Sequence, residues 1–284
     1  MCGIVGAVAQ RDVVPILLEG LRRLEYRGYD SAGVAIVSAE GIERRRRVGK
    51  VGQLVECLDQ DPVAGFTGIA HTRWATHGGP SESNAHPHVC RNKVAIVHNG
   101  IIENHEELRV SQESRGHSFS SDTDTEVIVN EIYDHLGSTD TLLEAVRRAI
   151  GKLEGAYALG VVSISEPGTI IACRKGSPLV IGIGIGESFI ASDVAALTSV
   201  TQQFIFLEEG DIAEITGGDV KVFDVSRQAV ERKICRSSLK AESAELGEFR
   251  HYMRKEIFEQ PDAIRNTLEG CFSGLNLLES AFGP

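Results

Sequence analysis

The sequence is short of most features that would commit it to a narrow class. Its six cysteines, Cys2, Cys57, Cys90, Cys173, Cys235 and Cys271, are scattered over 284 residues with no CxxC pair. Scattered thiols in a chain of this length, with no secretory leader, predict a reducing, cytoplasmic setting rather than a disulfide framework. No apolar run approaches the ~20 residues that a membrane-spanning helix needs. Internal repeats and low-complexity tracts are absent. Basic residues do not dominate: the formal net charge of −11 argues against nucleic acid or an anionic membrane as the main partner. The one strong basic run, Arg44-Arg45-Arg46-Arg47, lies between Ile42 and Val48 and reads as a solvated strand or turn. The remaining composition is that of a globular protein, 42% hydrophobic and 24% charged, with length for one large domain or two smaller ones.

The chemistry begins at the second position. If Met1 is removed, which the small side chain of Cys2 favours, the chain starts with a thiol and an α-amine on one residue. A thiol with an ordinary pKa of about 8.5 is mostly protonated at neutral pH, and an α-amine with a pKa of about 7.7–8.0 is a base of suitable strength beside it. One residue would then supply both nucleophile and base. The plainer reading is a buried cysteine opening a strand, because Ile4, Val5, Ala7 and Val8 are apolar.

The hydrophobic pattern predicts a strand over 3–9 and a helix from Asp12, its cap, to about Glu25, with Val14, Leu17, Leu18, Leu21 and Leu24 on one face. Gly33–Val37 and Glu43–Val48 pair across a turn at Glu40-Gly41. A strand over Phe66–His71 leads into a loop, Thr72 to Pro80, and another over Lys93–Val97 is stopped by His98-Asn99-Gly100. Helices follow from Glu103 or Asn104 to Gly116, after a capping box of Thr123 and Glu126 to Gly137, and over 141–153. Beyond Ala156, short apolar runs at 157–164, 169–173, 178–183, 203–207, 211–215 and 220–224 predict a meander of antiparallel strands with a short helix near 193–197. Strands, then helices, then strands suggest two packed sheets with helices outside. The polar stretch 236–250 reads as a linker, followed by a helix from His251 to Gln260 that Pro261 stops. The organisation expected is therefore one domain over 1–235, and a linker plus the start of something further over 236–284.

A thiolate attacking an amide makes an oxyanion that needs two aimed donors. Asn99-Gly100 offers a side-chain amide and a backbone N–H, although the same dipeptide between Val97 and Ile101 reads as a two-residue hairpin. A glutamine substrate would also need a guanidinium for its α-carboxylate and a carboxylate for its α-ammonium. Arg73 and Asp124 are candidates, the latter doubling as an ordinary first-turn helix acid. His71, His77, His86, His88 and His98 lack the spacing and companion ligands of a metal site, so no metal is expected. Gly182 to Gly186 lacks the context of a nucleotide loop and reads as a turn between strands.

Taken together, these stretches resemble the glutaminase halves of the glutamine–fructose-6-phosphate aminotransferases, which are class II glutamine amidotransferases. The resemblance runs through Met1-Cys2-Gly3-Ile4-Val5-Gly6, Glu25 to Gly33, His71 to Gly78, Asn84 to His88, His98 to Asn104, Thr123 to Glu126, Gly176 to Leu179, Ala191 to Asp193, Leu207 to Asp211 and His251 to Ile257. It implies an N-terminal nucleophile hydrolase fold, a four-layer α/β/β/α sandwich of two mainly antiparallel sheets. It also implies a γ-glutamyl thioester on Cys2, an oxyanion hole of Asn99 and Gly100, and no cofactor. Arg73 and Asp124 would hold glutamine, Thr76 and His77 would line the same pocket, and Trp74 would ride on a closing loop. Arg27 and Gly28 would pack against Cys2. The sugar-isomerase domains that bind fructose 6-phosphate in that family are missing from this chain. It is therefore expected to release ammonia alone, as a monomer or weak dimer. The alternative is a truncated, non-catalytic or regulatory module that binds glutamine without turnover. The loop Arg27 to Gly33 and the tail argue against the purine-pathway amidotransferase and asparagine synthetase.

Overall fold

The computed structural model describes residues 2–75, 78–237, 249, 252–269, 272–273 and 276–277. The chain divides into two compact units, Met1–Leu239 and Lys240–Pro284. In the first unit, β1 (Gly3–Val8), β2 (Ser31–Ser38), β3 (Gly41–Val48), β4 (Thr67–Arg73), β9 (Val180–Ile183), β10 (Ser188–Ala191), β11 (Gln203–Phe206) and β15 (Ile234–Arg236) form one sheet. Its order is β15-β11-β9-β10-β1-β4-β2-β3. The second sheet holds β5 (His88–Cys90), β6 (Val94–Ile102), β7 (Gly155–Ser163), β8 (Ile170–Lys175), β12 (Ile212–Ile215), β13 (Val220–Phe223) and β14 (Ala229–Val230), in the order β14-β13-β12-β8-β7-β6-β5. The pairings within both sheets are antiparallel.

Helices α1 (Val14–Leu24) and α2 (Val51–Gln60) cover the first sheet. Beyond the second sheet lie α3 (His105–Ser114), α4 (Glu126–Leu136) and α5 (Leu142–Ile150), of which α4 and α5 supply most of the helical residues in its core. Three apolar layers result. Leu17, Leu21 and Leu24 of α1 pack with Val5 and Ala7 of β1. Ile4, Val8, Ile69, Val97, Ala158 and Ile190 meet between the sheets. Val127, Ile128, Ile132 and Val146 pack on Ile96 and Leu159. This is the four-layer α/β/β/α sandwich expected. The alternation along β1 follows from the period of two of a strand: even-numbered residues face the partner sheet and odd-numbered residues face the helices.

Several local expectations are corrected. The Asn99-Gly100 pair does not turn: β6 continues to Ile102, with Asn99 opposite Ala158 and Gly100 opposite Tyr157. Gly100 holds φ +138°, so the pair spends its conformational freedom inside a strand rather than in a hairpin. No capping box forms between Thr123 and Glu126. The Glu126 carboxylate instead accepts from Ser120 N at 3.0 Å and Ser121 N at 2.8 Å, tying down the loop ahead of α4. The late strands do not make one meander but are dealt in runs to the two sheets: β7 and β8 to the second, β9, β10 and β11 to the first, β12, β13 and β14 to the second, and β15 to the first. Strands β7, β8, β9 and β12 are largely buried on both faces, so they read as continuous apolar runs that carry no mark of which sheet they join. Strands β5 and β10 are three and four residues long and escape a periodicity reading. Asp12 lies one residue ahead of the N-cap, where its Oδ1 accepts from Val14 N and Gly65 N, both at 3.2 Å.

In the second unit, α6 runs from Tyr252 to Glu269 with Pro261 inside it, rather than stopping at Gln260. The proline removes one helical N–H, but residues 257–261 are exposed, so water can serve the freed carbonyl. The short strands β16 (Phe272–Ser273) and β17 (Asn276–Leu277) pair with each other.

Candidate active site

At one end of the layer between the sheets, the same faces turn from apolar to polar. Ile4 on β1 is followed two residues back by Cys2, and Ile69 on β4 two and four residues on by His71 and Arg73. Val97 on β6 gives way to Asn99, and Ile190 on β10 to Ser192. Register aligns them: Gly3 pairs with Thr72, which sets Cys2 opposite Arg73. The result is a cavity of about 530 Å³ lined by Cys2, Arg73, Trp74, Asn99, Gly100 and Asp124, with Arg27, His71, His98 and Ser192 also in its wall.

Cys2 is partly buried. Its Sγ accepts from Trp74 N at 3.3 Å and faces Trp74 O at 3.5 Å. Burial pushes its pKa above the usual thiol value, against the pull of the Trp74 N–H, the amino terminus and Arg73. The resting thiol therefore holds its proton at neutral pH and needs a base to react. Asn99 Nδ2 donates to Cys2 O at 3.1 Å, so its N–H side is turned toward the sulfur-bearing residue. Gly100 is crowded by the paired strand: a Cβ there would lie 2.0 Å from Ala156 O.

Arg73 is 4% exposed, and its guanidinium donates to Gly78 O at 3.0 Å. Asp124 sits two residues before α4 and is also 4% exposed, and its Oδ2 accepts from Ile102 N at 2.8 Å, at the end of β6. Trp74 is half-exposed at the rim and meets Tyr29 edge-on, ring centroids 5.6 Å apart. The segment carrying it is braced from behind. Asp30 accepts from Ala75 N, Asp30 N donates to Arg73 O, and Gly28 lies so close that a Cβ would stand 2.9 Å from Arg73 C. Arg27 pairs with Asp193 at the cavity wall. Thr76 and His77 lie outside the described residues.

Sequence reasoning missed a column of imidazoles. His71 and His86 stack at 4.3 Å, and His86 meets His88 edge-on at 4.9 Å. His98 Nδ1 lies 2.9 Å from Thr125 Oγ1, and His88 Nε2 lies 3.0 Å from Thr123 Oγ1. Burial holds His71 down at about 3 and drives His86 and His88 well below the ordinary histidine value, so these rings are neutral. The available signal was parity: His71 is two residues before Arg73 on one strand, so both face the cavity. Among the described residues, no group of three or more His, Cys, Asp or Glu side chains is placed to hold a metal ion.

A glutamine amidotransferase domain family matches residues 71–199. The chain is 56% identical over 283 residues to the glutamine–fructose-6-phosphate aminotransferase [isomerizing] of Shewanella oneidensis, covering all of this chain and 46% of that protein. It is 58% identical over 285 residues to the protein of the same name from Escherichia coli K12, covering all of this chain and 47% of that one. The chain thus spans about half the length of the curated relatives it matches. In fold it is similar to a glutamine phosphoribosylpyrophosphate amidotransferase from B. subtilis, with a TM-score of 0.69 at 24% identity over 80% of this chain and 50% of that one. A class-II glutamine aminotransferase domain protein from Silicibacter pomeroyi gives 0.54 at 17% identity, covering 78% and 99%.

Proposed function

The chain belongs to the glutamine amidotransferases, in the branch that forms the first half of the glutamine–fructose-6-phosphate aminotransferases, and we propose on that premise that it hydrolyses the carboxamide of L-glutamine through a thioester on Cys2. The observation that carries this is the convergence of Cys2, Asn99, Gly100, Arg73 and Asp124 on one cavity. Arg73 takes the α-carboxylate and Asp124 the α-ammonium, which leaves the carboxamide at Cys2. Once Met1 is removed, the α-amine of Cys2 draws the thiol proton as sulfur attacks the carbonyl carbon. Negative charge grows on oxygen, between the Asn99 amide and the Gly100 N–H. The ammonium then returns its proton to nitrogen, ammonia leaves, and the acyl group remains on sulfur. Water attacks that thioester, releasing glutamate and restoring the thiol. Trp74 closes the mouth, while Arg27 and Gly28 hold the walls. Thr76 and His77 belong to the same proposal from their place in the loop after Arg73.

In a longer protein built as the relatives are, the ammonia would pass to isomerase domains and convert fructose 6-phosphate to glucosamine 6-phosphate. The glutaminase half by itself would stop at ammonia. We assign residues 1–235 to the glutaminase domain and 236–284 to the linker and start of the next part. We expect a monomer or weak dimer in the cytoplasm. No helix among the described residues is long and apolar enough to cross a membrane.

The test is glutamate and ammonia release from glutamine, with intact mass measured in parallel. The expected result is turnover by a chain lacking Met1 and none by Cys2→Ala. A processed chain that binds glutamine without releasing ammonia would favour the binding-module alternative.

A further inference from the structure

The orientation of the Asn99 carboxamide is fixed by one contact the proposed chemistry does not otherwise use. His71 Nε2 lies 2.9 Å from Asn99 Oδ1 and 3.0 Å from His98 O. A nitrogen facing two oxygens must carry hydrogen, so His71 is the Nε2–H tautomer. Turning the Asn99 amide over would set its nitrogen against that N–H and its oxygen against Cys2 O, now 3.1 Å from Nδ2. Only one assignment satisfies all three contacts: Oδ1 accepts from His71, and Nδ2 faces Cys2 and the cavity. One Nδ2 hydrogen goes to Cys2 O, and the other has no protein partner among the described residues. His71 Nδ1 is buried without a partner, as a lone pair tolerates better than an N–H. The ring is 1% exposed and stacked on His86 at 21°, so neither tilt nor solvent competes for Nε2.

We propose that His71 is a positioning residue of the glutaminase reaction, whose Nε2–H locks the Asn99 carboxamide with its N–H rather than its C=O toward the developing oxyanion. This rests on the glutaminase reading above and adds the group that makes half of the oxyanion hole a donor. A free carboxamide would sample both orientations. In the flipped one an oxygen would face the oxyanion, turning stabilisation into repulsion.

The effect belongs to the transition state, so the test separates oxyanion binding from ground-state binding. The probe is the γ-aldehyde analogue of glutamine. Cys2 S–H adds across its C=O, the C–S bond forms, the proton goes to oxygen, and that oxygen occupies the hole. His71→Phe keeps a ring against His86 and removes the donor. Its kcat should fall about 10- to 100-fold, with a comparable loss of aldehyde affinity, while KM for glutamine stays within about threefold. His71→Gln carries an amide N–H and should recover part of both. In an Asn99→Ala background, His71→Phe should cost little more. Unchanged aldehyde affinity in a folded His71→Phe protein, or full additivity with Asn99→Ala, overturns the proposal. Histidine ¹⁵N spectra of the unmodified protein decide it even if both variants fail to fold: Nε2–H is expected, and Nδ1–H overturns it. A wild-type protein that neither hydrolyses glutamine nor adds the aldehyde would instead sink the glutaminase reading, and the tautomer would still report on His71.

Discussion

Replacing Gly100 by alanine tests the least expected feature of the fold, the passage of β6 straight through an Asn-Gly pair. The added Cβ would sit 2.0 Å from Ala156 O, 2.8 Å from Ala156 C and 2.9 Å from the Cα of Tyr157. Carbon and oxygen need more than 3 Å, so β6 and β7 must part by about an ångström at the seventh position of a nine-residue pairing. Alanine must also accept φ +138°. Backbone strain of about 1–3 kcal/mol and overpacking of about 1–3 kcal/mol together predict a loss of about 2–6 kcal/mol, a large part of the stability of an ordinary domain. The Gly100 N–H would move with the backbone, so kcat for glutamine should fall about 100-fold in whatever protein remains folded. Gly52→Ala is the control with the opposite sign: no atom lies within 4 Å, and the first turn of α2 gains a better helix former. Urea unfolding of both variants, with glutaminase assays alongside, gives the answer. A Gly100→Ala protein within about 0.5 kcal/mol of wild type and with unchanged kcat would refute the strand register at the proposed oxyanion hole.

Arg73→Lys keeps the charge and loses the fork, so KM for glutamine should rise about tenfold or more with a smaller change in kcat; steady-state kinetics decide it. Acid should destabilise the fold through the imidazole column. His71 is neutral in the fold down to about 3 but takes a proton near 6.5 when unfolded. Stability is therefore complete above pH 6.5, falls as pH drops through that value, and keeps falling toward pH 3. His71 alone accounts for about 2 kcal/mol between pH 6.5 and 5, and urea midpoints that stay flat over that range would contradict its buried, neutral state. Glu131 is fully buried and accepts from Arg115 at 2.7 Å, from Gln112 at 3.1 Å and from Lys152. Burial raises its pKa, but these hydrogen bonds outweigh that and hold it at about 2. Glu131→Gln should cost about 2–3 kcal/mol in thermal or urea unfolding, less than for a wholly buried pair because Arg115 and Lys152 reach solvent, and it should leave KM for glutamine unchanged.

The elements legible in the sequence were those in which one local rule acts alone. Helix α1 shows its apolar stripe because one face meets a sheet and the other meets water. The β2–β3 hairpin shows a glycine turn between two runs, and α5 has Thr141 accepting from Glu144 N as a cap should. Where two rules competed, the local one lost. The Asn-Gly rule describes isolated two-residue loops, whereas Gly100 sits where a strand passes close to Ala156 and needs a positive φ without any reversal of the chain. Pro261 follows the same logic in reverse, since an exposed helix can leave one carbonyl to water. Sorting the inner late strands, β7, β8, β9 and β12, between two sheets was out of reach in principle, because burial on both faces erases the alternation that would distinguish them.

Chemical type exposed part of the site and concealed the rest. Cys2, Arg73 and Asp124 stand out because a free thiol, a guanidinium and a carboxylate each suggest a role on their own. His71, His86, His88 and His98 suggested metal ligation or nothing, because a histidine's role is set by what its two nitrogens face. That depends on parity and register more than on spacing. Once Cys2 is opposite Arg73 and Asn99 follows Val97 on the inner face of β6, His71 has to stand beside Asn99. The cost of ending an apolar layer in polar side chains is visible in the buried His71 Nδ1, which lacks a partner. A core selected for stability alone would continue Ile4, Ile69 and Val97 with further aliphatics. Here it stops one strand period short, and neutral imidazoles fill the gap, bulky enough to pack and polar enough to orient an amide.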